Sequence, residues 1–183
     1  MVSLLIGEHD FPVGDETNSS TWRQWVAENG PRFLLFARHQ TRSEEDARDV
    51  LQEVLVDAWR RGGGVVPDVA VVFAGVRRRA IDLARREDRR RRRESEWGGD
   101  SFGDGWFVDG AAEHRDLEQA LRGIRPDFAE VVVLKIWGGL TFDEIAETLG
   151  INGSTAASRY RYGLRDLQRV LEGGGQSLRT IRS

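Results

Sequence analysis

Cysteine is absent from all 183 residues, which excludes disulfides, thiolate metal sites and cysteine nucleophiles. Histidine is nearly absent: His9, His39 and His114 lie far apart and in no metal-ligand spacing. No Walker-type loop and no nucleophile elbow is visible. No enzyme and no metal or other cofactor is therefore expected. Long apolar runs are missing too, none approaching the ~18 residues of a membrane span. The N-terminal "MVSLLIGEHDFPVGDE" has no basic n-region and too short an apolar stretch for a signal peptide. A cytoplasmic protein without membrane insertion is expected. Lysine is the last scarcity. Of 27 basic residues only Lys135 is not arginine, a bias that genome composition explains as well as function does.

What is present is charge, at 31% of residues, with a mean hydropathy of −0.48 and a net charge of −3. The net value hides segregation. Residues 1–20 and 95–113 carry acids and no arginine or lysine, whereas residues 77–93 carry ten arginines against Asp82, Glu87 and Asp88. Such unevenness bears on partners more than the whole-chain balance does.

The Gly-rich acidic "SEWGGDSFGDGWFVDG" lacks helical periodicity and reads as a linker, although Trp97, Phe102, Trp106 and Phe107 are unusual in one. The expected division is an N-terminal extension over 1–19, a helical unit over 20–94, a flexible acidic linker over 95–112, a second helical unit over 113–173 and a frayed tail over 174–183. In the first unit, Thr21 to His39 is apolar-rich, with Pro31 marking a new helix start. Ser43 opens a second helix whose inner face is Ala47, Val50, Leu51, Val54, Leu55 and Ala58. Its outer face is Arg48, Asp49, Gln52, Glu53 and Asp57. "RGGGVVPD" is a loop, and a third helix runs from about Val69 through the arginines. "GVVPDVAVVF" is the nearest approach to a strand, and Pro67 weakens it. In the second unit, Leu117, Ala120, Leu121 and Ile124 form an apolar stripe, and Pro126 starts a helix that Gly138-Gly139 stops. Thr141 to Glu144 is a capping box. Phe142, Ile145, Ala146 and Leu149 follow at helical spacing, Gly150 ends that helix, and Asn152 caps the next.

The helix after Asn152 has sorted faces. Ser154, Ser158, Arg161 and Arg165 share one side, and Ala156, Tyr160, Gly163, Leu164, Leu167 and Leu171 form the opposite, core-facing stripe. A short amphipathic helix, a glycine turn and a second helix with a basic outer face make a helix-turn-helix. Small residues at the front of such a helix let it sit deep in the major groove, where hydroxyls reach base edges or phosphates. The bland alternative is a solvated helix with surface arginines.

"LTFDEIAETLGINGSTAASRYRYGLRDL" resembles region 4 of bacterial RNA polymerase sigma factors, in the extracytoplasmic-function group of the sigma-70 family. "DARDVLQEVLVDAW" is similar to region 2.2 of that family, and "VRRRAIDLARRE" to the end of region 2. The resemblance spans residues ~20 to 173 and implies an all-α fold of two small helical domains. It implies that Ser154, Thr155, Ala157, Ser158, Arg161 and Arg165 face the minus-35 element as duplex DNA. Asp49, Gln52 and Glu53 fall in the motif that docks on the β′ clamp helices of core RNA polymerase, whose β flap is a further implied contact. Residues around 62 to 82 would capture the single-stranded minus-10 element, giving Phe73, Arg77, Arg78, Arg79, Arg85 and Arg86 as contacts. Strand opening needs cations tracking the backbone and aromatic faces for bases; Phe73 or Trp59 would offer a π-face, against a reading of both as core. The run "RREDRRRRRES" following that helix would add salt-dependent phosphate contact, its alternative being a solvated helix end. An anti-sigma factor is a possible partner. The chain departs from the family at "DVAV", where a Trp-containing "FRAW"-like segment is usual, and at Arg78, where Asn is common.

Two other functions remain open from residues alone. One is a helix-turn-helix regulator that binds duplex promoter DNA without polymerase. The other is an interaction module using the outer face of residues 43–61.

Overall fold

The computed structural model describes residues 16–95 and 119–180, with side chains described over 18–93 and 119–172. All secondary structure among the described residues is helical. The chain divides into two units, Met1–Phe107 and Val108–Ser183. Residues 1–15 of the N-terminal extension, the acidic segment from residue 96 with its four aromatics, Leu117, His9 and His114 lie outside the described residues.

Three helices build the first unit: α1 (Glu16–Gln40), α2 (Glu44–Gly62) and α3 (Val69–Ser95). Pro31 does not start a new helix, as its sequence position suggests; it lies inside α1. The apolar face runs on through it, since Trp22, Val26, Phe33, Phe36 and Ala37 are all buried. That burial outweighs the ~3 kcal/mol that an interior proline costs. Just before the proline, the Asn29 side chain donates to the Trp25 carbonyl at 2.7 Å. Thr41 Oγ1 donates to the Ala37 carbonyl at 2.9 Å, and Ser43 Oγ accepts from the Asp46 N–H at 3.0 Å as the N-cap of α2. A forked pair from Arg38 to Glu44, at 2.7 and 2.9 Å, ties the two helices across this link.

Helix α2 ends on Gly63, left-handed at φ 59°, whose N–H bonds the Trp59 carbonyl. Gly64 follows at φ 85°, and a Cβ there would stand 3.1 Å from the Trp59 ring. The glycine run is thus a cap followed by a close approach to an indole. Trp59 replaces the half-buried Ala58 on the inner face of α2 and meets Trp22 edge-on, centroids 5.1 Å apart. Phe73 of α3 meets Phe33 and Phe36 edge-on at 4.9 and 5.2 Å.

The second unit has a short helical turn at 119–122, then α4 (Pro126–Ile136), α5 (Phe142–Leu149) and α6 (Gly153–Thr180). Its core gathers Ala120, Leu121, Ile124, Val131 to Leu134, Leu140, Ile145, Leu149, Ala156 and Leu167. One expectation for α6 fails. Leu164 and Leu171 are 37% and 46% exposed, because they lie on the flank of the helix rather than on the centre of its buried stripe. The helix runs on through the glycines at 173–175 to Thr180.

Candidate nucleic-acid interface

Helices α5 and α6 are set at a fixed turn by hydrogen bonds that the local sequence supplies. At the start of α5, Thr141 Oγ1 accepts from the Glu144 N–H at 3.3 Å, while the Glu144 carboxylate accepts from the Thr141 N–H at 2.6 Å. The Thr141 hydroxyl also donates to that carboxylate at 2.6 Å. These bonds to the Thr141 side chain and backbone, with a smaller contribution from Lys135, hold the Glu144 carboxyl below its usual range. At the end of α5, Gly150 is left-handed at φ 67°, and the Ile151 N–H reaches back to the Ala146 carbonyl at 3.0 Å. Asn152 then caps α6, its Oδ1 accepting from the Thr155 N–H at 2.7 Å. Phe142 of α5 meets Tyr160 of α6 edge-on at 5.7 Å.

Helix α6 presents Ser154, Arg161 and Arg165 exposed, with Ser158 between them half-buried. Thr155 and Ala157 are half-buried on either flank. Ser154 Oγ donates to Asn152 Oδ1 at 2.8 Å, so its proton serves the cap and its lone pairs face outward to accept. The guanidinium groups of Arg161 and Arg165 lie 5.7 and 5.1 Å from the centroid of the Tyr162 ring. Tyr162 in turn stacks on Phe128 at 6.1 Å, and Arg125 covers Phe128 at 4.5 Å. Sequence reasoning missed Tyr162. Its signal was an exposed-face aromatic with an arginine at i+3, a spacing that brings a cation over a ring. Asp127 joins the start of α4 to α6, pairing with Arg125 at 3.0 Å and Arg159 at 3.5 Å.

In the first unit the residues proposed from sequence do not form one open surface. Phe73 is fully buried between Phe33 and Phe36, so it offers no π-face to a base, and Trp59 is likewise core. Both are held inside by the apolar area that they remove from water. Arg78, Arg85 and Arg86 are exposed and Arg77 is half-buried, while Arg85 approaches Asp82 at 4.0 Å. Arg79 is bound to α2: Nη1 donates to Glu53 at 2.5 Å and Nη2 to Asp57. A residue expected to touch DNA and one expected to touch polymerase are therefore each other's partners. Asp49 and Gln52 are exposed on the same outer side of α2. Arg89 to Arg93 are all exposed, and Arg42 reaches Glu87 and Asp88 at 3.5 Å just before them. Among the described residues, no group of acids and histidines is arranged to hold a metal, and no helix is long and apolar enough to cross a membrane.

The family model for sigma-70 region 4 matches residues 114–167, which include the whole of α4, α5 and the turn into α6. An extracytoplasmic-function RNA polymerase sigma factor SigK of Mycolicibacterium vanbaalenii is 29% identical over 136 residues, 68% of each chain. An RNA polymerase sigma-E factor of Streptomyces avermitilis is 29% identical over 154 residues, 82% of this chain and 85% of that one. Among solved structures, the sigma factor RpoE of Bartonella quintana, crystallised with the anti-sigma factor NepR, superposes with a TM-score of 0.66. That match covers 84% of this chain and 98% of the other at 20% identity, which speaks for the fold. In sequence the chain resembles the extracytoplasmic-function sigma factors, in fold it shares the all-α architecture of a solved one, and over residues 114–167 it matches the sigma-70 region 4 family model.

Proposed function

We propose that this protein is a transcription initiation factor that binds core RNA polymerase and directs it to promoters. It acts by binding rather than by catalysis. The observation that carries the reading is the doubly capped turn from Gly150 to Asn152, which fixes α6 with Ser154, Ser158, Arg161 and Arg165 turned outward. A helix held this way fits the major groove of the minus-35 element, with small residues foremost and guanidinium groups behind. Residues 113–173 serve as region 4 and residues 20–94 as region 2. Within the latter, Arg77, Arg78, Arg85 and Arg86 face the single-stranded minus-10 element, and Asp49, Gln52 and Glu53 face the β′ clamp helices. Region 4 would rest on the β flap. The Bartonella quintana relative is bound by an anti-sigma factor, and an anti-sigma partner is proposed here on that similarity.

The test is transcription in vitro with core enzyme on genomic fragments, with start sites mapped. Discrete start sites that depend on the added protein are expected. Co-elution with core is the companion measurement, and Asp49→Arg is expected to abolish it while helix content stays constant, since Asp49 is exposed. Promoter binding without core, together with no co-elution, would make the chain a conventional helix-turn-helix regulator instead.

A further inference from the structure

The outer side of α2 carries Asp49, Glu53 and Asp57 at intervals of four residues, which places their carboxylates in one line along the helix. Two of the three already hold a guanidinium group. Arg79 crosses from α3 and donates one nitrogen to each, Nη1 to Glu53 at 2.5 Å and Nη2 to Asp57. Two carboxylates against one cation leave the cluster net negative. The side chains of Arg79, Glu53 and Asp57 remain 39%, 59% and 36% exposed, so a partner can reach all of them. Ion pairs of such exposure are weak and are readily exchanged. Arg79 meanwhile belongs to the run Arg77-Arg78-Arg79, whose charge would otherwise face nucleic acid.

We propose that Glu53 and Asp57 form a guanidinium-binding site in which a cationic side chain of a docking protein replaces Arg79, releasing Arg79 to the phosphates of single-stranded DNA. The inference rests on the reading of α2 as a polymerase-docking surface and of α3 as a DNA-facing helix. The two carboxylates then link docking to strand capture. The partner's cation and Arg79 cannot both have them, so docking on α2 raises the affinity of α3 for DNA. By the same linkage, DNA bound at Arg79 strengthens docking. Without a partner, α3 has one cation fewer to offer, which keeps the lone protein from spending itself on DNA strands.

A cycle of variants of the full chain tests this, read by fluorescence anisotropy on a labelled single-stranded oligodeoxynucleotide of mixed sequence, without polymerase. Glu53→Gln with Asp57→Asn releases Arg79 and also removes two negative charges. Only the first effect requires Arg79. The pair of substitutions should therefore tighten binding by roughly threefold more in the wild-type background than in an Arg79→Ala background. Equal gains in both backgrounds would mean a general charge effect and would overturn the proposal. Should the double variant lose helix content, Asp57→Asn alone opens half of the site, and its smaller gain must likewise vanish without Arg79. Co-elution of the wild-type chain with core polymerase, measured alongside, bears on the function itself. Its failure removes the docking reading, whereas equal gains in the cycle remove only the exchange.

Discussion

Arg161 and Arg165 share one side of α6 and the same aromatic neighbour, yet under the proposed function their positions along the helix would give them different targets. Arg161 lies in the first turns after the Asn152 cap, where a recognition helix enters the groove, and Arg165 lies a turn further back. Arg161→Ala is expected to cost ~1–3 kcal/mol on the cognate minus-35 sequence and to relax preference at one base position. Arg165→Ala should weaken all sequences about equally and lower the salt slope by ~0.9, the value for one lost phosphate contact. Titrations of holoenzyme at several salt concentrations, on cognate and base-substituted promoters, separate the two. Equal losses on every sequence for both variants would mean that the helix positions the protein without Arg161 reading bases. Glu144 gives a second prediction at this scale. Its carboxyl is held below its usual range by Thr141, so folding favours the charged form. The stability it adds is complete above the unfolded carboxylate pKa and is lost as pH falls through the lowered folded value. Glu144→Gln keeps an acceptor for the Thr141 N–H but loses the charge. Thermal melts by circular dichroism should show the variant less stable at neutral pH, with the difference closing in acid. A difference that stays constant with pH would mean that the charge adds nothing to the cap.

Helices meet closely at one glycine in each unit: Gly75 of α3, where a Cβ would stand 2.8 Å from Val54 Cγ1 of α2, and Gly163 of α6. A Cβ on Gly163 would stand 2.8 Å from Val132 Cγ2 and 3.2 Å from Phe128 Cβ, which is where α6 crosses α4. Val132 is fully buried and its branched side chain has no room to turn aside. Gly163→Ala gains ~1 kcal/mol of helix propensity but incurs an overpacking cost of ~1–3 kcal/mol. The variant is expected to be less stable in denaturant titrations. A stabilised variant would mean that α6 and α4 separate without penalty. Much at this scale was legible in the sequence. Thr141 with Glu144, Gly150 with Asn152, and Ser43 before its acidic turn are local signals, and each cap forms where the spacing places it. The failures involve residues distant in sequence. Pro31 reads as a helix start because proline suits a first turn, but the buried residues flanking it are satisfied only when the helix continues. Phe73 reads as either a base contact or core, because the resemblance puts it among the residues around 62 to 82 that would meet the minus-10 strand; its environment is set by Phe33 and Phe36, some forty residues earlier. The capture of Arg79 by Glu53 and Asp57 was illegible for the same reason. Helical periodicity puts each residue on an outer face and does not say which outer faces touch.

At the scale of the whole chain, charge is sorted by segment. Ten arginines lie within residues 77–93, and the segment that follows, 95–113, holds five acids and no base. Acids without counter-charge are repelled by a phosphate backbone within about a Debye length, ~8 Å at physiological salt. The segment that joins the two units is therefore chemically unsuited to lie along DNA, and it suits a positively charged channel in the polymerase. Its aromatics Trp97, Phe102, Trp106 and Phe107 add apolar surface that a mere tether does not need. A tether has a different task, to set the effective concentration of one unit at its site once the other is bound, and that depends on length rather than on charge. Replacing residues 96–109 with a neutral Gly/Ser sequence of equal length separates the two roles. Promoter binding by the holoenzyme, measured by gel shift, is expected to persist because the span between the units is unchanged. Run-off transcription is expected to fall, because the acidic and aromatic groups that would enter such a channel are gone. If run-off yield matches that of the wild type, the segment acts through its length alone, and the sorting of charge serves only to keep it off the DNA.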